Sequence, residues 1–211
     1  MPGARNLESI GYDEMLELAG AGARVLQLRA VELAHDHHVD VHVRSSFTDA
    51  PGTHVGRREA LERELVTAIA HRCDDTLFRV SGVRQTDLFA ALAGAGLNLD
   101  TIIRIEGEHV FSVDDSDRVD AIDVLTRLGA RFASRSDLGR ITVVGAGMKS
   151  HPGIAAAVFD ELDVRDLEGC FVSTSPIKIS FYVPRDEVEG AVQALHRRFQ
   201  LDAVTRAAHV A

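Results

Sequence analysis

The residues best arranged for chemistry lie in the segment GAGMKSHPG, Gly145 to Gly153. Gly145 and Gly147 free the backbone ahead of a helix, and Pro152 stands where a first helical turn tolerates it. Such a turn aims unpaired amides and the positive end of the helix dipole at its own mouth, which suits a carboxylate or another small anion. It offers binding without a nucleophile or an acid–base pair. Lys149 and His151 read as solvated loop residues. His35, His37, His38 and His42 bring enough imidazole together to suggest a metal site. The cluster lacks the i, i+4 pair with a carboxylate base that a helical zinc enzyme shows, and it straddles a helix end and a strand, so it reads as a surface group. Asp114, Asp115 and Asp117 lack the central glycine and the liganding glutamate of a calcium loop, and read as a turn into a helix capped by Ser116. Cys170 is small and strand-borne, a packed residue rather than a nucleophile. No catalytic residue, metal or cofactor is expected.

The elements that must position the turn follow from periodicity. Ile141 and Val143, then Ile177, Ile179, Phe181 and Val183, alternate as half-buried strands do, whereas Ile154, Val158 and Leu162 recur at helical spacing. The order strand, glycine turn, helix, strand, strand, helix occurs twice. Leu77 to Val83 matches Ile141 to Ala146, and the stretch from Phe89 runs in step with that from Phe159. Each copy predicts an α+β, ferredoxin-like β-α-β-β-α unit with helices on one face of an antiparallel sheet. The first copy is seven residues shorter, all lost between Gly82 and Phe89, so that just Arg84, Gln85 and Thr86 lead from Val83 into its helix. It closes with its own fourth strand, Ala130 to Ser134. The second copy has no such strand, and a surplus one, Leu65 to His71, precedes the first copy. The surplus strand is therefore expected to cross over and complete the second sheet.

Composition narrows the function classes. The 211 residues suffice for two or three small domains, and a net charge of −9 with scattered Lys and Arg gives a polyanion little to gain, so no nucleic-acid partner is expected. Cys73 and Cys170 form no CxxC, no apolar run reaches membrane length, and the N-terminus lacks a basic-then-apolar leader. A cytoplasmic protein without a membrane partner is the simplest expectation. Residues 1–56 read as two amphipathic helices, GYDEMLELAGAGARVLQL and RAVELAHDHH, then a strand VDVHVRSSF and a turn TDAPGT. That is too little to bury as an independent fold, and it looks like the end of something larger.

Three stretches together resemble the aspartokinase family: SIGYDEMLELAGAGARVLQLRAVELA with VRSSF and PGT, then VTAIAH, then GAGMKSHPGIAA with STSPIKIS. The resemblance implies a remnant of the catalytic lobe over 1–56, a linker over 57–64 and an interwoven strand over 65–71. It places a first ACT domain over 77–135, a second over 139–203 and a tail over 204–211. It implies effector contacts at Asn98, Leu99, Asp100 and Arg104 in the first ACT domain, and at Ile154, Ala155, Ala156, Gly169, Cys170, Pro176 and Ile177 in the second. The family's ATP- and aspartate-binding Lys-Phe-Gly-Gly-Thr-Ser segment is not matched, so the chain alone is expected not to phosphorylate aspartate. Its Asp-x-Pro-Gly loop falls in the deletion before Phe89. Arg104 replaces a Gln and is expected to pair with Asp100, and Pro176 replaces a Glu. The implied role is a regulatory, non-catalytic chain that binds an amino acid such as lysine or threonine, as a homodimer or with a catalytic aspartokinase chain. An N-terminally truncated kinase and a dimerisation module with a dead pocket are the alternatives.

Overall fold

The computed structural model describes residues 4–57, 65–148, 151, 153–165 and 171–202. In chain order these form β1 (Ser9–Gly11), α1 (Tyr12–Gly20), α2 (Leu28–Asp36), β2 (Val41–Val43), β3 (Thr53–Gly56), β4 (Ala68–Arg72), β5 (Asp75–Ser81), α3 (Gln85–Gly94), β6 (Asp100–Ile105) and β7 (Glu108–Asp114). There follow α4 (Arg118–Arg127), β8 (Arg131–Arg135), β9 (Leu138–Val144), α5 (Gly153–Val164), β10 (Val172–Thr174), β11 (Lys178–Pro184) and α6 (Val188–Arg198). Two compact units result, Met1–His71 with Ile141–Ala211, and Arg72–Arg140.

In the first unit, Tyr12, Met15 and Leu18 fall on one face of α1, and Val31 and Ala34 on one face of α2. They bury a cluster with Ile10 of β1 and Val55 of β3, and Ala70 of β4 and Val144 of β9 complete it. The N-terminal segment thus finishes its core on strands from later in the chain, as its small size requires. Its sheet has the order β1-β3-β2, with β1 parallel to β3. Neither β1 nor β3 was expected, and β2 stops at Val43, short of the strand anticipated through Phe47. Three paired residues are too short a pattern for alternation to reveal.

The second sheet of this unit runs β10-β11-β9-β4. The surplus strand does cross to the second copy, beginning at Ala68 rather than Leu65. Thr67 N–H donates to Val144 O just ahead of it, 2.7 Å away. All seven residues of β9 are buried, and so are Ile179 to Val183 in β11, where half-buried alternation was expected. Val144 of β9 and Ala70 of β4 lie in the cluster under α1 and α2, so the sheet is covered by these helices at that end. Thr142 and Ser180 share a buried hydroxyl hydrogen bond of 2.9 Å, which satisfies both groups.

The second unit is the other ferredoxin-like copy, with sheet order β6-β7-β5-β8. Phe78 of β5 faces Phe111 of β7 and Ser134 of β8, and α3 and α4 close the core with Leu88, Leu92, Ala121, Val124 and Leu125. Helix α3 opens at Gln85 behind Arg84, earlier than expected, so the connection from β5 is shorter still. Asp114, not Ser116, caps the 3-10 turn Asp115–Asp117 that leads into α4: its carboxylate accepts the N–H and the hydroxyl of Ser116 at 3.0 and 2.8 Å, while the N-cap of α4 itself, Asp117, makes no side-chain capping bond.

Candidate functional site

The glycine turn after β9 is more fully bonded than its sequence suggests. Gly145 N–H donates to Ile177 O at 2.9 Å, Ala146 N–H to Glu14 Oε1 at 3.2 Å, Met148 N–H to Gly145 O at 3.3 Å and Ile154 N–H to His151 O at 3.2 Å. At these four positions the expectation that the turn presents its amides unpaired is corrected, because the chain's own acceptors take them. Gly145 does not serve positive φ either. A Cβ there would lie 2.2 Å from Leu65 O and 2.8 Å from Val66 Cα, so glycine is required by the segment leading into β4.

Of the residues implied for an effector in this unit, the structure joins Ile177 to the turn through the Gly145 bond. Ile154 points into the core at 6% exposure and its N–H is the one bonded to His151 O, while Ala155 is half-buried and Ala156 exposed at the start of α5. Pro176 is exposed in the connection before β11. Gly169 and Cys170 lie outside the described residues, as do Lys149 and Pro152.

In the other unit Asn98 is exposed, and Leu99 packs against the core. Asp100 opens β6, its Oδ1 accepting Thr101 N–H at 2.7 Å. Its other oxygen is held by the guanidinium of Arg140, not by Arg104. A register shift between Asp100 and Ile103 separates Asp100 from Arg104 along β6, and Arg104 lies opposite His109. Arg140 also reaches Asp75, its Nε 3.0 Å from Oδ2. Arg72 lies 3.0 Å from the other Asp75 oxygen, and extends to Asp74 at 2.7 Å and Asp114 at 2.6 Å. Burial pushes the Asp75 carboxyl up to about 6 against the pull of Arg140 and Arg72, with Asp100 and Asp74 adding to the rise. Hydrogen bonds from Ser116 and Arg72 hold Asp114 below the usual carboxylate range.

Sequence reasoning missed Arg140, Asp75 and Glu14. An arginine inside the apolar run LGRITVV was a visible signal, because such a charge is buried only with partners. Glu14 gave none, since an acid in a first helical turn ordinarily complements the helix dipole.

A cleft of about 510 Å³ opens beside the turn, lined by Gly11, Tyr12, Asp13 and Glu14 from the start of α1, by His35 and His38, and by Ala146 and Ile177 among others. Tyr12 donates its hydroxyl to Asp40 at 3.3 Å. The histidines expected as one surface group are divided: His35 and His38 face the cleft, while His42 stacks on His54 at 3.8 Å and its Nε2 lies 2.6 Å from Pro51 O. Among the described residues no helix is long and apolar enough to cross a membrane.

Comparison with known proteins agrees with this architecture. An ACT domain family model matches residues 141–199. An aspartokinase of Pseudomonas aeruginosa is 32% identical over 98% of the chain and 54% of its own length. An aspartokinase of Geobacillus stearothermophilus is 39% identical over 94% of the chain and 52% of its own length. The chain thus spans about half the length of the curated relatives it matches. Among solved structures, the ligand-free regulatory subunit of aspartate kinase from Thermus thermophilus is 26% identical, with a TM-score of 0.56, over 64% of this chain and 99% of its own. With both β-α-β-β-α units in place and the likeness extending over nearly all of its length, the chain belongs to the aspartokinase family and carries its ACT regulatory fold.

Proposed function

We propose that the chain is a regulatory, non-catalytic aspartokinase component whose ACT domains bind an amino acid such as lysine or threonine and so control or scaffold aspartate phosphorylation. The observation that carries this reading is the likeness to an aspartate kinase regulatory subunit along that subunit's whole length. In this reading residues 1–56 correspond to the end of a catalytic lobe, and no metal or cofactor is required. The effector is read at the start of α5, around Ile154, Ala155 and Ala156, with Gly169, Cys170, Pro176 and Ile177 beside it. The first ACT domain contributes no second pocket. Its Asp100, which would otherwise receive an ammonium, is already paired with Arg140, and this favours a dead pocket in that copy. The assembly is a homodimer, or a heterodimer with a catalytic chain. Ile102 and Ile105, about half exposed on the edge strand β6, support such pairing.

Thermal melting with lysine, threonine and methionine tests the site. Nothing lies within 4 Å of a Cβ at Gly153, so Gly153→Leu fits the fold while crowding the helix start. It is expected to abolish any amino-acid-induced rise in melting temperature, whereas Arg84→Ala, which removes an exposed pair with Asp87, leaves the rise nearly unchanged. A full response in the Gly153 variant places the ligand elsewhere. Appreciable aspartyl-phosphate formation by the pure chain would end the non-catalytic claim.

A further inference from the structure

We propose that the Gly11 amide, the Thr67 hydroxyl and the Ala146 amide form a carboxylate receptor that the chain fills from within, with Glu14 as resident ligand, and that this contact latches α1 to the turn leading into α5. The Glu14 side chain is 3% exposed. Its Oε1 accepts from Thr67 Oγ1 and, at 3.2 Å, from Ala146 N–H, while Oε2 accepts from Gly11 N–H at 3.3 Å. These donors belong to three segments distant in sequence: the lead into α1, the approach to the crossed-over strand β4, and the glycine turn. Several N–H and O–H donors converging on one buried carboxylate are how an anion of this class is recognised, because each oxygen must recover the bonds it gave up in water. One turn further along α1, Glu17 Oε2 lies 2.7 Å from Lys178 Nζ of β11, a second tie from α1 to this sheet.

The cleft beside the turn borders Gly11, Glu14 and Ala146, which gives a small carboxylate from solution a path to the donors once Glu14 leaves. A carboxylate that outcompetes Glu14 there opens this latch between α1 and the turn, so the receptor is at once a site and a release. It is distinct from the effector contacts at the start of α5 and stands whether or not those bind an amino acid.

Glu14→Ala in the full chain tests the receptor, with formate and acetate as probes against chloride at equal ionic strength. The variant is expected to melt roughly 6–12 °C lower. Its Ala146 amide should exchange with solvent at least about tenfold faster. Formate should restore much of both effects, and chloride neither. Glu17→Gln, which breaks the more exposed tie, is expected to show no formate response. Should Glu14→Ala not fold, Glu14→Gln keeps an acceptor without the charge, and about threefold or faster exchange at Ala146 is expected. Unchanged Ala146 exchange in either variant, or recovery equal in formate and chloride, overturns the proposal.

Discussion

Arg140→Met is expected to destabilise the Arg72–Arg140 unit by about 3 kcal/mol or more at neutral pH, measured by chemical denaturation. Arg140 is 4% exposed, and Asp75 beneath it is equally buried. Removing the guanidinium takes one of its two cations from Asp75 and breaks the pair with Asp100. The cost is that of a buried, poorly compensated charge more than of lost packing, since methionine fills much of the same volume. Asp75→Asn in the Arg140→Met background is therefore expected to recover more than about half of the loss. If the double variant is as unstable as the single one, the charge on Asp75 is not the cause. The pH dependence follows with a definite sign. Asp75 titrates near 6 in the folded chain and at 3.8 in its ordinary state, so between those values the folded chain holds a proton that the unfolded chain has released. Its contribution to stability is present below about 4 and is lost as pH rises through about 6. Asp114, held low, contributes in the opposite sense, present above its ordinary value and lost on acidification. Asp75→Asn removes the first contribution and leaves the second, and Arg140→Met should regain stability between neutral pH and pH 5.

Gly145→Ala is the second large effect, expected to cost about 2–4 kcal/mol. The new methyl would meet Leu65 O at 2.2 Å, Val66 Cα at 2.8 Å and Leu65 C at 2.9 Å, all backbone atoms with no rotamer to move aside. The strain falls on the approach to β4, the segment that ties the two halves of the first unit together. Faster amide exchange along Ala68–Ala70 should accompany the loss. Gly153→Ala, with open space around its Cβ, is the matched control and is expected to be neutral or slightly stabilising. Equal effects at the two glycines would mean that the close passage of residues 65 and 66 does not exist in solution.

What could be read from the sequence was whatever repeats or alternates. The two β-α-β-β-α copies declared themselves because Leu77 to Val83 and Ile141 to Ala146 share a pattern. The crossing of β4 followed from counting strands: one copy lacked a fourth strand and a surplus strand stood upstream. Nothing periodic marks β1 and β3, whose pairing, Ser9 with His54 through Gly11 with Gly56, covers three residues of each. The charged contacts were hidden for a different reason. Glu14 meets Ala146 across 132 residues, and its position at the start of a helix already had an ordinary explanation. Arg104 is the partner expected for Asp100 because it replaces a family Gln on the same side of the implied pocket. A register shift in β6 lies between them, while the fold brings Arg140 to Asp100 from forty positions away.

Calorimetric titration of the whole chain with lysine, threonine and methionine bears most directly on the regulatory reading. Saturable heat is expected for lysine or threonine with wild-type protein, and its loss in the Gly153→Leu variant. A folded chain that binds none of the three amino acids would contradict the account.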